Sequence, residues 1–345
     1  MKKGVLLINL GTPDSPAVSD VRKYLTQFLN DPFVIDINPI ARFFLVNFVI
    51  VPFRAAKSAK LYKQIWTKDG SPLLIHTRNV KERLQQELGE NYVVEFGMRY
   101  PNPSIYSAFK KLKDANVDSI TVIPLYPQYA TSSTGLTIAE VKRVMKKEKF
   151  DAVKIIDKFY QDENFIDACV EVAQKYLSSS PLSHGRGAGG EEHFLFSYHG
   201  LPERQITKVY PDHCKINADC CSVITNKNHH CYRAACYETT RSIAKKLNIP
   251  EDKYTVSFQS RLDDKWLKPY SDKVIEDKAK QGVKKMLVFS PAFVADCLET
   301  IYEIGVEYQH IFQANGGDKI QLVESLNCHP KWIDALKIMV LANNN

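Results

Sequence analysis

No Gly-x-Gly-x-x-Gly follows the first apolar run of this 345-residue chain, which reads "NLGTPDSP" there. Neither a Walker-type phosphate loop nor a clear nucleophile elbow occurs, so a nucleotide-dependent reaction is disfavoured. No uninterrupted apolar run reaches the roughly 20 residues of a membrane span. There is no dense Lys/Arg run interleaved with aromatics, and nucleic acid is therefore not an expected partner. The formal charge of +7, from 46 basic and 39 acidic residues, is modest. It is expected to spread over solvated helix faces and favours an anionic partner, a small acid or a lipid surface. A secretory signal is also missing. "MKKGVLLINLGTP" has a basic start and a short apolar run but no small-residue cleavage site, and it ends like a strand entering a loop. The expected location is cytoplasmic.

What the chain does have is eight cysteines. Without a secretory signal they argue against a disulfide framework. Cys169, Cys297 and Cys328 are scattered; Cys214, Cys220, Cys221, Cys231 and Cys236 crowd one segment, residues 212–236. In a reducing compartment such a cluster reads as metal or iron–sulfur ligation. Four thiolates satisfy structural zinc, with His213, His229 or His230 as substitutes. They also close a 2Fe–2S cluster, although spacing alone favours zinc.

Short apolar runs ending in turn residues recur along the chain. The first half has "GVLLINLG", "YVVEFGMRY", "SITVIPLYPQYA" and "AVKIIDKF"; the second has "HFLFSYHGLP", "YTVSFQSRL", "KMLVFSPAFVAD" and "IQLVESLN". Runs apolar on both faces suit a buried parallel sheet. Amphipathic helices lie between them, "NPSIYSAFKKLKDAN" and "YETTRSIAKKLNI" among them. The alternation predicts βαβ units and an α/β fold of two similar doubly wound domains. The expected division is residues 1–177, a flexible Gly/Ser-rich connector over 178–192, and residues 193–345. Ligands in such sheets bind beyond the carboxyl ends of the strands.

Two constellations stand at expected strand ends. His199 follows "FLFSY" and precedes Gly-Leu-Pro, a turn that would project an imidazole suited to proton transfer. Its alternative is a structural histidine bonded to a loop carbonyl. In "FVADCLETIYEIGVEY", Asp296, Glu299, Glu303 and Glu307 are spaced three, four and four apart, which sets them in a file on one helical face. Such a file could relay protons or pass a cation; the plainer alternative is a solvated acidic face. The most apolar stretch, "RFFLVNFVIVPF", at about a dozen residues, is too short to span a bilayer. It reads as a core helix, or as an apolar lip gripping a flat ligand or resting on a membrane, with Lys57, Lys60 and Lys63 close behind.

Six motifs in order, "IWTKDGSPLL", "GMRYPNP", "PLYPQYATSSTG", "SYHGLPER", "SFQSRLDDKW" and "FVADCLETIYE", resemble the ferrochelatase family along nearly the whole chain. The resemblance implies two Rossmann-like domains, each with a four-stranded parallel sheet. It implies a lyase that inserts Fe²⁺ into protoporphyrin IX, forming protohaem in haem biosynthesis. Coproporphyrin as substrate, or a non-catalytic iron or tetrapyrrole carrier of the same fold, are the alternatives. By the same resemblance His199 is a metal ligand and proton acceptor, faced by Glu299 and flanked by Asp296 and Glu303. Arg99, Tyr100 and Ser260 lie near the porphyrin, and residues 39–53 form a mouth-lining lip that suggests peripheral membrane contact. Cys297 stands where some members have histidine. Because several members hold a 2Fe–2S cluster, the resemblance favours that group over zinc here. The expected ligands are Cys214, Cys231, Cys236 and one of Cys220 and Cys221.

Overall fold

The computed structural model describes residues 2–178, 191–217 and 219–343; most of the expected connector, residues 179–190, lies outside them. All eight expected strand segments form strands: β1 (Lys3–Gly11), β2 (Tyr92–Tyr100), β3 (Ser119–Pro124), β4 (Val153–Ile155), β5 (Glu191–His199), β6 (Tyr254–Gln259), β7 (Val283–Phe289) and β8 (Lys319–Leu322). They make two four-stranded sheets, ordered β2-β1-β3-β4 and β6-β5-β7-β8, with parallel pairing throughout. The central strands are buried on both faces, as their unbroken apolar runs predict: Val5, Leu6, Leu7 and Ile8 in β1 are inaccessible to solvent.

The chain forms two compact units. One comprises residues 1–126, 130–158 and 332–345, the other residues 127–129 and 159–331. They are not the contiguous halves expected from sequence. The helix Glu163–Ser178 belongs with the second unit, and nearly all of the C-terminal helix Pro330–Ala342 with the first. Amphipathicity marks that a helix must bury a face, but not which sheet covers it. In the first unit Ile105, Phe109 and Leu112, spaced four and three apart, pack on Leu6, Ile8, Ile120 and Val122. In the second, Ile304, Tyr308 and Phe312 pack on Leu195, Met286, Val288 and Ile320.

The first strand, β1, covers the stretch weighed as a signal sequence. A larger difference concerns the apolar stretch after it. Helical structure runs without interruption through Pro39–Phe44, a π-helical turn at Leu45–Ile50, and Val51–Ile65. These 27 residues are long and apolar enough, by length and composition, to cross a membrane, and only 17% of the apolar window is buried. The expectation that no segment reaches span length counted unbroken apolar letters; Arg42, Arg54 and Lys57 interrupt the letters but not the helix. It is not a core helix either. Ile40, Phe43, Phe44, Phe48, Val49 and Phe53 are all more than half exposed, Phe53 at 81%.

Candidate functional site

His199 is the last residue of β5, the strand paired on both sides within its sheet, and lies opposite Gln259 of β6. The turn behind it is tight. Gly200 donates its N–H to the Gln259 carbonyl at 2.8 Å, and a Cβ on Gly200 would lie 2.6 Å from that oxygen. Only glycine lets the two backbones meet so closely. The imidazole Nδ1 lies 2.7 Å from the Gly200 carbonyl oxygen, and the Tyr232 hydroxyl donates to the carbonyl of His199 at 2.9 Å. A carbonyl can only accept, so Nδ1 carries a proton, and in the neutral ring the lone pair is on Nε2. The loop-carbonyl bond weighed as the structural alternative is therefore present, and it is also what prepares Nε2 as a base or ligand.

The acidic residues are distributed unequally. Glu299–Tyr308 is wound as a π-helix, a geometry that composition does not announce. Glu303 accepts from the Ser260 N–H at 3.1 Å, the Ser260 hydroxyl at 2.6 Å, the Gln259 amide at 3.3 Å and the Tyr308 hydroxyl at 3.1 Å. Burial pushes its carboxyl above the usual range; the Ser260 hydrogen bond and nearby His199 oppose this, and Glu299 adds to it. His199, Glu299 and Glu303 therefore share one electrostatic neighbourhood. Ser260 sits at φ 62°, a left-handed conformation that aims both of its donors at Glu303. Glu307 is exposed. Asp296 precedes the helix and is fully engaged. It accepts from Thr300 Oγ1 at 2.9 Å, Asn327 Nδ2 at 2.7 Å and the Ser325 N–H at 3.3 Å. Cys297 is buried, and its thiol is pushed well above its ordinary value by burial and, after that, by Glu299.

In the first unit, Arg99 and Tyr100 end β2 and converge on Asp31, at 2.6 Å and 2.7 Å from its Oδ2. The Asp31 side chain is 5% exposed, and Arg99 stacks on the Tyr100 ring at 4.5 Å. A buried carboxylate thus holds both residues rigid. Sequence reasoning missed Asp31, which is 68 positions from Arg99, and also Tyr308 and Asn327. The only signal for Tyr308 and Asn327 was placement on the helix face beside the acids or just beyond a strand; Asp31, after the helix Val18–Leu29, carried none.

The cysteine segment is held by buried Asn228, whose amide donates to the carbonyls of Cys220 and Val223. The sulfurs of Cys220 and Cys221 lie 3.8 Å apart. The Cys231 thiol is lowered, chiefly by a hydrogen bond with Cys221, whereas burial pushes that of Cys236 well up. Among the described residues, no three Cys, His, Asp or Glu side chains are arranged to hold a single metal ion. Arg233 bears on what the thiols are for. It is 8% exposed; its Nη1 donates to the Asn217 carbonyl and its Nη2 to the Tyr237 hydroxyl. Among the described residues it has no carboxylate partner and its buried Nε no hydrogen-bond partner, and Cys220 and Cys221 lie within its electrostatic reach. A buried guanidinium facing neutral thiols is an uncompensated charge; facing thiolates it is balanced. The five thiols are the donor type that a thiolate-bound group needs, but the described side chains do not converge on one ion, and the thiols of Cys214 and Cys221 are raised like that of Cys236.

Two parallel sheets threaded in one order, with an imidazole at a strand end and carboxylates on the helix after β7, define a chelatase-type α/β fold. Solved structures of that fold agree. SirB from Bacillus subtilis with Fe³⁺ matches with a TM-score of 0.53 at 12% identity, over 99% of this chain and 95% of that one. The sirohydrochlorin chelatase SirB from Bacillus subtilis subspecies spizizenii, in complex with cobalt, gives 0.54 at 12%, over 100% and 97%. The chain belongs to the ferrochelatase family, whose model matches residues 2–344. It is 45% identical to the ferrochelatase of Coxiella burnetii (strain CbuK_Q154), over 98% of this chain and 93% of the relative. To the ferrochelatase of Legionella pneumophila (strain Lens) it is 41% identical, over 99% of each.

Proposed function

We propose that this chain inserts Fe²⁺ into protoporphyrin IX, with His199 and Glu299 as the residues that face the metal and the pyrrole protons. The observation that carries this is the 2.7 Å contact of His199 Nδ1 with the Gly200 carbonyl oxygen. With Nδ1 donating to the Gly200 carbonyl, Nε2 is the lone pair available at a strand end, in the same electrostatic neighbourhood as Glu299 and Glu303. Metallation removes two N–H protons from the macrocycle and strips water from the ion. An imidazole lone pair can accept one proton, and a carboxylate whose proton affinity is raised by burial can take up and release another. Mixed imidazole and carboxylate donors suit borderline Fe²⁺. The porphyrin's own carboxylates call for a cationic partner, a role assigned to Arg99, which Asp31 holds in place beside buried Tyr100, whose hydroxyl is already donated to Asp31. Ser260 serves by fixing Glu303. The test is anaerobic assay with Fe²⁺ and either protoporphyrin or coproporphyrin. Repeated turnover giving protohaem is the expected result. Preference for coproporphyrin would move the substrate assignment, and porphyrin binding without turnover would make the chain a carrier.

Two further readings belong with this one. The exposed apolar face of the helix Pro39–Ile65, with Lys57, Lys60 and Lys63 behind it, suits peripheral contact with an anionic membrane by a cytoplasmic protein. The thiols of the cysteine segment are proposed to hold a 2Fe–2S cluster through four of Cys214, Cys220, Cys221, Cys231 and Cys236, with Arg233 balancing its negative charge. Such a cluster would cross-link a loop that follows His199 in the chain. A brown protein with visible iron–sulfur bands is expected; a colourless protein containing zinc would replace this reading with the structural-zinc one.

A further inference from the structure

Asp296 stands among the acids of this site, yet its contacts are those of a fastener. Asn327, in the loop after β8, mirrors it. The Asp296 N–H donates to Asn327 Oδ1 at 2.9 Å, while Asn327 Nδ2 donates to Asp296 Oδ2 at 2.7 Å. The other carboxylate oxygen, Oδ1, takes the Thr300 hydroxyl at 2.9 Å and the Ser325 N–H at 3.3 Å. Thr300 Oγ1 in turn accepts the Cys297 N–H at 3.0 Å, one of the donors a helix start leaves unsatisfied. The Asn327 backbone is held at φ 48°, in the left-handed region that asparagine tolerates better than most residues, and its N–H donates to the Val294 carbonyl at 2.8 Å. Two loops, one after β7 and one after β8, are thus tied side chain to backbone and side chain to side chain, immediately before Glu299.

We propose that Asp296 and Asn327 form a reciprocal clamp that sets the start of the π-helix and so positions Glu299, and that Asp296 acts by holding this backbone and not as an iron ligand or proton carrier. Asn327 is then a positioning residue for metal insertion, which rests on the reading that Glu299 faces the metal. The clamp needs one carboxylate and one amide, but either residue can supply either. A ligand or relay at position 296 needs its charge there. Exchanging the two groups separates the cases.

The experiment uses the full chain with Asp296→Asn, Asn327→Asp, Asn327→Ala and the double exchange Asp296→Asn/Asn327→Asp, measuring the thermal midpoint, kcat and KM for Fe²⁺. The single variants set amide against amide, carboxylate against carboxylate, or leave Asp296 without its mate. Each is expected to lose about tenfold or more in kcat/KM for Fe²⁺. The exchange is expected to recover to within roughly threefold of the wild type and to regain its thermal midpoint, since paired groups are strongly non-additive. An exchange that stays as inactive as Asp296→Asn, or stays unfolded, overturns the clamp. So does full activity of Asn327→Ala. Glu299→Gln is assayed alongside. If it remains active, the reading of Glu299 fails, while the thermal midpoints of the exchange and its single variants still judge the clamp.

Discussion

Glu303 shows how much of a site lies in the groups around its titrating atom. Of the four hydrogen bonds it accepts, the shortest is from the Ser260 hydroxyl, and that bond opposes the effect of burial. Ser260→Ala removes it. The carboxyl should rise further, and the acidic limb of the pH–rate profile should move to higher pH, with kcat at neutral pH falling several-fold; an unmoved profile would mean that Glu303 does not titrate in turnover. His199→Ala is expected to lower metal insertion by about 100-fold or more with the circular dichroism spectrum unchanged, the usual scale for a lost general base. Near-normal activity would remove His199 from the chemistry. A different histidine governs acid stability. His193, 3% exposed in β5 and bonded to Thr255, is pushed down to about 4, chiefly by burial. Its folded value lies below the unfolded one near 6.5, so the unfolded chain binds the extra proton between them. The stability it gives is complete above pH 6.5 and lost as pH falls through 4, a change of up to about 3 kcal/mol. Denaturant melts of His193→Gln should lose this portion of the pH dependence. At this scale the sequence made His199 legible because a strand pattern and a Gly-Pro turn bracket it. Asp31 was opaque, because an acid 68 residues from its arginine carries no local mark.

Among the elements, the strands were the most readable, since an apolar run buried on both faces has few other interpretations. The winding of the helix after β7 was not readable: a π-helix differs from an α-helix in which carbonyl each N–H reaches, and side-chain order is silent on that. The long apolar helix was half legible. Its greasiness was plain, but charged letters broke the run, and exposure could be settled only by the absence of a covering partner among the described residues. Replacing Phe43, Phe48 and Phe53 together by Asp should cut co-sedimentation with anionic vesicles by about tenfold or more, since each loses a buried aromatic's worth of transfer energy. Equal co-sedimentation would remove the membrane reading. The turn after β5 is the least forgiving element. Gly200→Ala places a methyl 2.6 Å from the Gln259 carbonyl, and a cost of about 1–3 kcal/mol is expected as a lowered thermal midpoint together with reduced turnover.

For the molecule as a whole, the pattern gave the count and direction of strands but not the division of the chain, because the last helix returns to the first unit from more than 170 residues beyond that unit's preceding segment. The thiol segment raises a question at the same scale, since Cys231 and Cys236 root it in the helix Tyr232–Lys246. Of the five Cys→Ser variants, four should bleach the visible bands and lower the thermal midpoint, and one should do neither; loss of colour in none would exclude a cluster. The two sheets, finally, are threaded in one and the same sequence of strands. Fusion of two copies of a half-sized ancestor would leave such a pattern. At equivalent places the two sheets carry different crossovers, a greasy helix between β1 and β2 and a sulfur-rich excursion between β5 and β6. Each crossover is rooted in its own sheet, so a change in one need not retool the other.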